Sequence, residues 1–140
     1  MDSLPAPTTP SKRRIWAGRI ISGLATAFMI FDAVVHISRS PAVVEGFTKA
    51  GFSLSLLVPL SIIELICIAL YVTPRTAVLG VILLTGYLGG AVATNVRMGM
   101  PMFTYILAPV YIAVLLWLGL WLRDDRVRSL IPLRSKIGVN

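Results

Sequence analysis

Four apolar stretches, each close to twenty residues long and three of them closed by residues that stop a helix, leave this chain little choice of solvent. They run over residues 15–35, 54–72, 76–96 and 102–122. Pro74, the loop around Gly99 and Pro101, and the charged Arg123-Asp124-Asp125-Arg126 end three of them. A helix needs about 20 apolar residues to cross the hydrocarbon layer of a bilayer, and in lipid every backbone polar group must be bonded within its own segment. Composition agrees: the 140 residues are 56% hydrophobic and 14% charged, whereas soluble domains carry roughly one quarter charged residues. The expectation is therefore an all-α transmembrane four-helix bundle. The link Thr73-Pro74-Arg75 is so short that the second and third spans must form an antiparallel hairpin.

The flanks read differently. Residues 1–14, MDSLPAPTTPSKRR, are rich in proline, serine and threonine and end in a basic cluster, which predicts a disordered cytoplasmic tail before a transmembrane domain over 15–122. The first apolar run exceeds a signal-peptide core of about 7–15 residues and lacks a small-x-small cleavage site, so it is read as a retained span. Residues 123–140 read as a second, basic cytoplasmic tail. Between the first two spans, Val43, Val44 and Phe47 recur at helical spacing with Glu45 and Lys49 among them, predicting a short amphipathic interfacial helix.

The net charge of +7 does not point to nucleic acid, because the basic residues cluster at the ends of apolar runs rather than along a stripe. Of the 13 lysines and arginines, Lys12, Arg13, Arg14, Arg19, Arg75, Arg123, Arg126, Arg128, Arg134 and Lys136 fall on one side, and Arg39, Lys49 and Arg97 on the other. The positive-inside rule then places both termini and the 73–75 turn in the cytoplasm. Trp16, Trp117 and Trp121 fit that boundary, where an indole sits among headgroups. Cys67 is the single cysteine, which excludes an intramolecular disulfide; no spaced metal-ligand motif is legible, and no metal is expected.

Polar residues inside the spans carry the functional reading. An ionisable group at mid-helix costs about 2.5–3.5 kcal/mol on insertion scales, so Asp32, His36 and Glu64 require a reason. Asp32 and His36, four apart, share one face of the first helix near its outer end, where the carboxylate can fix the imidazole tautomer. The plainer alternative is a headgroup-level histidine and an aspartate bonded to a neighbouring helix. Glu64 lies about ten residues into its span, roughly 15 Å deep at ~1.5 Å per residue, and must point into the bundle, with Ser61 and Tyr71 on about the same face. Its alternatives are an inter-helix hydrogen bond or a ligand- or proton-handling role.

Gly86, Gly90 and Thr94 form a small-xxx-small stripe that predicts close helix packing. Tyr87 sits near mid-depth; Thr94, Asn95 and Arg97 lie toward the outer end. Pro109 removes one backbone hydrogen bond from the fourth helix and frees the carbonyl of Tyr105. Together these residues predict a polar pocket in the outer half of the bundle, with Glu64 at its floor, Arg97 near its mouth and Asp32, His36, Tyr87, Thr94 and Asn95 as ligand-binding residues.

The segment IIELICIALYVTPRTAVLGVILLTGYLGGAVATNVRMGMP, with FDAVVHI and PAVVEGFTKAGFS before it, resembles the DoxX-like family of small four-span bacterial membrane proteins, over about residues 16–133. The glutamate followed by a tyrosine-containing helix end and Pro74-Arg75-Thr76, and the TGYLGGAVATNVR stretch, carry the resemblance; Asn95 departs from it, at a position where the family often has histidine. The resemblance implies a bacterial inner-membrane location and an association with quinone-linked redox systems or membrane assembly. The expectation is an accessory membrane protein in contact with lipid, with a quinone as candidate cofactor and a membrane protein or a second copy as partner. An enzymatic role for the isolated chain is disfavoured, since no paired-histidine haem site, dithiol or flavin motif supplies electrons. An assembly factor and a proton-coupled transporter are the alternatives; a transporter would need an oligomer, as no inverted repeat is evident.

Overall fold

The computed structural model describes residues 11–130. Its helices are α1 (Lys12–Ile37), α2 (Pro41–Lys49), α3 (Leu57–Val72), α4 (Ala77–Arg97), α5 (Ala108–Arg123) and α6 (Asp125–Leu130). A 3₁₀ turn at Leu54–Leu56 leads into α3, and a π-helical turn at Met102–Ile106 precedes α5. Among the described residues, four stretches are long and apolar enough to cross a membrane: Lys12–Ile37, Leu54–Val72, Ala77–Arg97 and Met102–Arg123. The first begins three residues before the expected boundary. Lys12, Arg13 and Arg14 are good helix formers and extend α1 rather than belonging to a tail.

The four long helices close a ring in which α1 packs on α5, α5 on α4, α4 on α3 and α3 on α1. The start of α1, the α3–α4 turn and the end of α5 meet at one end, where Arg14 Nη2 pairs with Asp125 Oδ1 at 2.6 Å. That contact and the buried Val127 make Asp125–Leu130 a packed helix, where a basic tail was expected; the rest of that segment lies outside the described residues.

Small residues decide how closely the ring closes. On α1 the buried face is Gly18, Ser22, Ala25, Thr26, Met29 and Ala33, so the backbones of α1 and α5 nearly touch. A Cβ on Gly18 would meet Gly119 O at 2.8 Å, and one on Gly119 would meet Ser22 N at 2.9 Å. In the α3–α4 hairpin, a Cβ on Gly80 would run into the backbone of Tyr71. The stripe expected to pack, Gly86 and Gly90, does the opposite: a Cβ on either meets nothing within 4 Å. Periodicity places those residues on one face correctly, but that face looks outward.

The outer surface is apolar. Leu24 is 67% exposed, Phe31 66% and Phe103 74%, and apolar exposure on this scale in a bundle marks contact with lipid. Several polar groups within are paired. The Tyr71 hydroxyl, on a fully buried ring, lies 2.8 Å from Leu116 O and 2.9 Å from Ser22 Oγ. A phenol has one proton, so it donates to the carbonyl and accepts from the serine. Arg123 Nη2 donates to Tyr71 O at 3.0 Å, capping the end of α3. Trp117 Nε1 donates to Thr85 Oγ1 at 2.9 Å, tying α5 to α4.

Candidate functional site

The polar groups of the far half converge where α1, α3 and α4 face one another. Glu64, on the inward face of α3 with Ser61 and Tyr71, is completely buried. Tyr87, from the middle of α4, donates its hydroxyl proton to Glu64 Oε2 at 3.0 Å. Glu64 Oε1 is buried and has no hydrogen-bond partner among the described residues. Ser61 does not supply one, since its hydroxyl donates back to Leu57 O at 2.9 Å.

One turn of α1 sets the other wall. His36 Nδ1 lies 2.9 Å from the carbonyl oxygen of Asp32 and 3.0 Å from its Oδ2. Both neighbours are acceptors, which places a proton on Nδ1. The expected i, i+4 relationship is therefore made twice by one residue. The side chains of His36 and Asp32 are 27% and 43% exposed, so this wall is reachable from outside while Glu64 is sealed beneath it. One ligand-type atom from each of Asp32, His36 and Glu64 lies within 4.8 Å of the other two. No metal motif was legible because the donors come from two helices, 28 residues apart in sequence at their closest (64 − 36).

The helix between the first two spans covers the histidine. On α2, Val43, Val44 and Phe47 form the half-buried face, as their spacing predicts. Gly51, at φ +76°, ends α2 in the left-handed region, with Gly51 N–H on Thr48 O and Phe52 N–H on Phe47 O. This closing turn brings Phe52 to 5.8 Å from Phe47, ring centre to ring centre, and Phe47 stands edge-on to His36 at 5.9 Å. The four-residue spacing of Phe47 from Val43 marks it as sharing the interfacial face and gives no sign that it covers the site. On the solvent side of α2, Lys49 at 2.5 Å holds the Glu45 carboxyl below the ordinary glutamate range.

The remaining expected ligand residues are engaged elsewhere. Thr94 Oγ1 donates to Gly90 O at 2.9 Å within its own helix. Asn95 Nδ2 donates to Tyr105 O at 2.9 Å. Arg97 is exposed, its Nη2 near the 50–52 turn, 3.6 Å from where a Gly51 Cβ would stand. The pair Asp32–His36 thus joins Glu64 and Tyr87, whereas Thr94 and Asn95 serve the backbone of α4 and of the π-helical turn. A shallow groove of about 270 Å³ opens at the opposite end, lined by Arg19, Thr26, Tyr71 and Arg123 among others.

A ring of four apolar helices enclosing a sealed glutamate, with two ionisable partners on the next helix, defines a small multi-pass integral membrane protein. The sequence profile of the DoxX-like family matches residues 20–119, and the chain belongs to that family. Asp32, His36, Glu64 and Tyr87 all fall inside the matched region. No curated protein and no solved structure matches the chain.

Proposed function

We propose that this protein is an accessory subunit of a bacterial inner-membrane redox system, binding the headgroup of a quinone or similar lipophilic ligand at the Asp32–His36–Glu64–Tyr87 cluster. The observation that carries the reading is Glu64, fully buried among apolar helices with Tyr87 on one oxygen and no partner for the other among the described residues. An intramembrane carboxyl with spare hydrogen-bonding capacity is a default functional group. A ligand's tail would lie along the apolar helix faces while its oxygens meet His36 and Asp32, the exposed wall of the cluster. Both termini are cytoplasmic in this reading, following the ten-to-three partition of basic residues, so the cluster faces the periplasmic half and α2 lies in the outer interface.

Mass spectrometry of the gently purified protein tests the assignment. A co-purifying quinone, reduced by Glu64→Leu, is the expected result. A stoichiometric protein partner without any ligand would instead support a second reading, an assembly factor. That reading is favoured by the outward face of α4, where Gly86, Gly89 and Gly90 leave open space in which a partner helix can approach closely.

A further inference from the structure

Glu64 Oε1 is a buried acceptor without a donor among the described residues, and such groups in a packed interior call for an explanation, a missing ion among them. The Glu64 carboxyl belongs to a mixed set of metal-ligand types, two carboxylates and one imidazole drawn from α1 and α3, with one ligand-type atom of each within 4.8 Å of the other two. One edge of a coordination shell is already in place. His36 Nδ1 and Asp32 Oδ2 are 3.0 Å apart, and ligands about 2.0–2.2 Å from a zinc-sized ion stand roughly 3.0–3.5 Å from each other. The remaining separations close through rotation about the terminal torsions of Asp32 and Glu64, which are broad and soft.

We propose that Asp32, His36 and Glu64 bind one divalent transition-metal ion, which displaces the proton that His36 Nδ1 shares with Asp32 while the ring carries its remaining proton on Nε2 and stays neutral. The charge balances, because two carboxylates and a neutral imidazole offset a dication and spare the membrane interior a net charge. The donor types suit zinc, iron or manganese rather than a soft monovalent ion. Tyr87 on Glu64 Oε2 is the outer partner that orients a ligating carboxylate. Three protein ligands leave a coordination position open on the side of the exposed Asp32–His36 wall, an arrangement of reactive rather than purely structural sites. The inference goes beyond the headgroup reading and does not rest on it.

The test is a titration of the full chain, purified in detergent, stripped of quinone and treated with chelator, with Co²⁺ as a visible probe and Zn²⁺ as competitor. Expected are about one Co²⁺ per chain, ligand-field bands that Zn²⁺ abolishes, binding weakened about tenfold or more in His36→Gln and Glu64→Gln, and unchanged binding in Glu45→Gln. No saturable binding by the wild-type protein overturns the proposal, as does binding that both site variants retain. If a variant loses its helical content, the wild-type Co²⁺ spectrum decides. Bands of mixed nitrogen and oxygen ligation sustain the site, and a spectrum of the hydrated ion removes it. Because the protein is quinone-free, a failed titration leaves the headgroup reading standing, and a failed quinone extraction leaves this one.

Discussion

The carbonyl oxygen of Tyr105 accepts a hydrogen bond from Asn95 Nδ2 at 2.9 Å. Pro109 has no N–H to return to that carbonyl, so the last turn of α4 supplies the donor that the fourth span lacks. Met100 N–H closes on Asn95 O in the same turn, where Gly99 at φ +65° reverses the chain. Asn95 therefore stands where the α4 terminus meets the π-helical turn.

Asn95→Ala should destabilise the bundle by about 1–3 kcal/mol, the cost of a polar group left unpaired. Pro109→Ala restores a backbone donor, so the double variant should recover part of that loss. Thermal unfolding in detergent measures both; losses that simply add would show that the Asn95 bond does not compensate for the proline.

Glu64→Gln should keep the fold, since an amide oxygen can accept from Tyr87 as the carboxyl does. Glu64→Leu strands the Tyr87 hydroxyl at about 1–3 kcal/mol. Pairing Glu64→Leu with Tyr87→Phe removes both polar partners and should cost less than the two single changes summed. Additive losses in that cycle would mean that the 3.0 Å contact contributes nothing. If the carboxyl moves protons, Glu64→Gln is stable yet inactive.

Glycine substitutions should divide sharply. Gly80→Ala and Gly119→Ala drive a methyl group into backbone and should cost about 1–3 kcal/mol or more. Gly90→Leu meets open space and should leave the melting temperature of the monomer unchanged. A large loss at Gly90 would place that face inside a protein contact. Crosslinking would then identify what covers it.

Orientation is testable without a ligand. In a Cys67→Ser background, single cysteines at Ser11 and Leu130 should be shielded from an impermeant thiol reagent in intact cells, while one at Lys49 should react. Labelling at Leu130 from outside would reverse the assignment.

Much of this architecture was legible because lipid imposes length: about twenty apolar residues and a breaker define a span whatever its neighbours are. Glu64 was legible for the same reason, since a mid-span carboxyl has nowhere to point but inward. Helix faces were not. Gly18, Gly80 and Gly119 make the close approaches, yet Gly86 and Gly90 show the more regular spacing. In lipid both sides of a helix are apolar, so hydrophobic patterning does not say which side meets protein. Thr94 and Asn95 illustrate a second limit, because depth in the membrane identifies polar residues without revealing that their partners are backbone carbonyls.

The neighbours in the ring have a consequence for biogenesis. Helix α1 is synthesised before α5, yet it is α5 that supplies the Leu116 carbonyl for Tyr71 and the Gly119 backbone against which Gly18 and Ser22 rest. Before the fourth span packs, Tyr71 lacks the Leu116 carbonyl and the carbonyl at the end of α3 lacks the guanidinium of Arg123. The contacts that complete the bundle therefore form only once α5 is in place. An arrested three-span intermediate would present a polar seam to the membrane, the kind of signal by which insertion chaperones and intramembrane proteases recognise an unfinished protein.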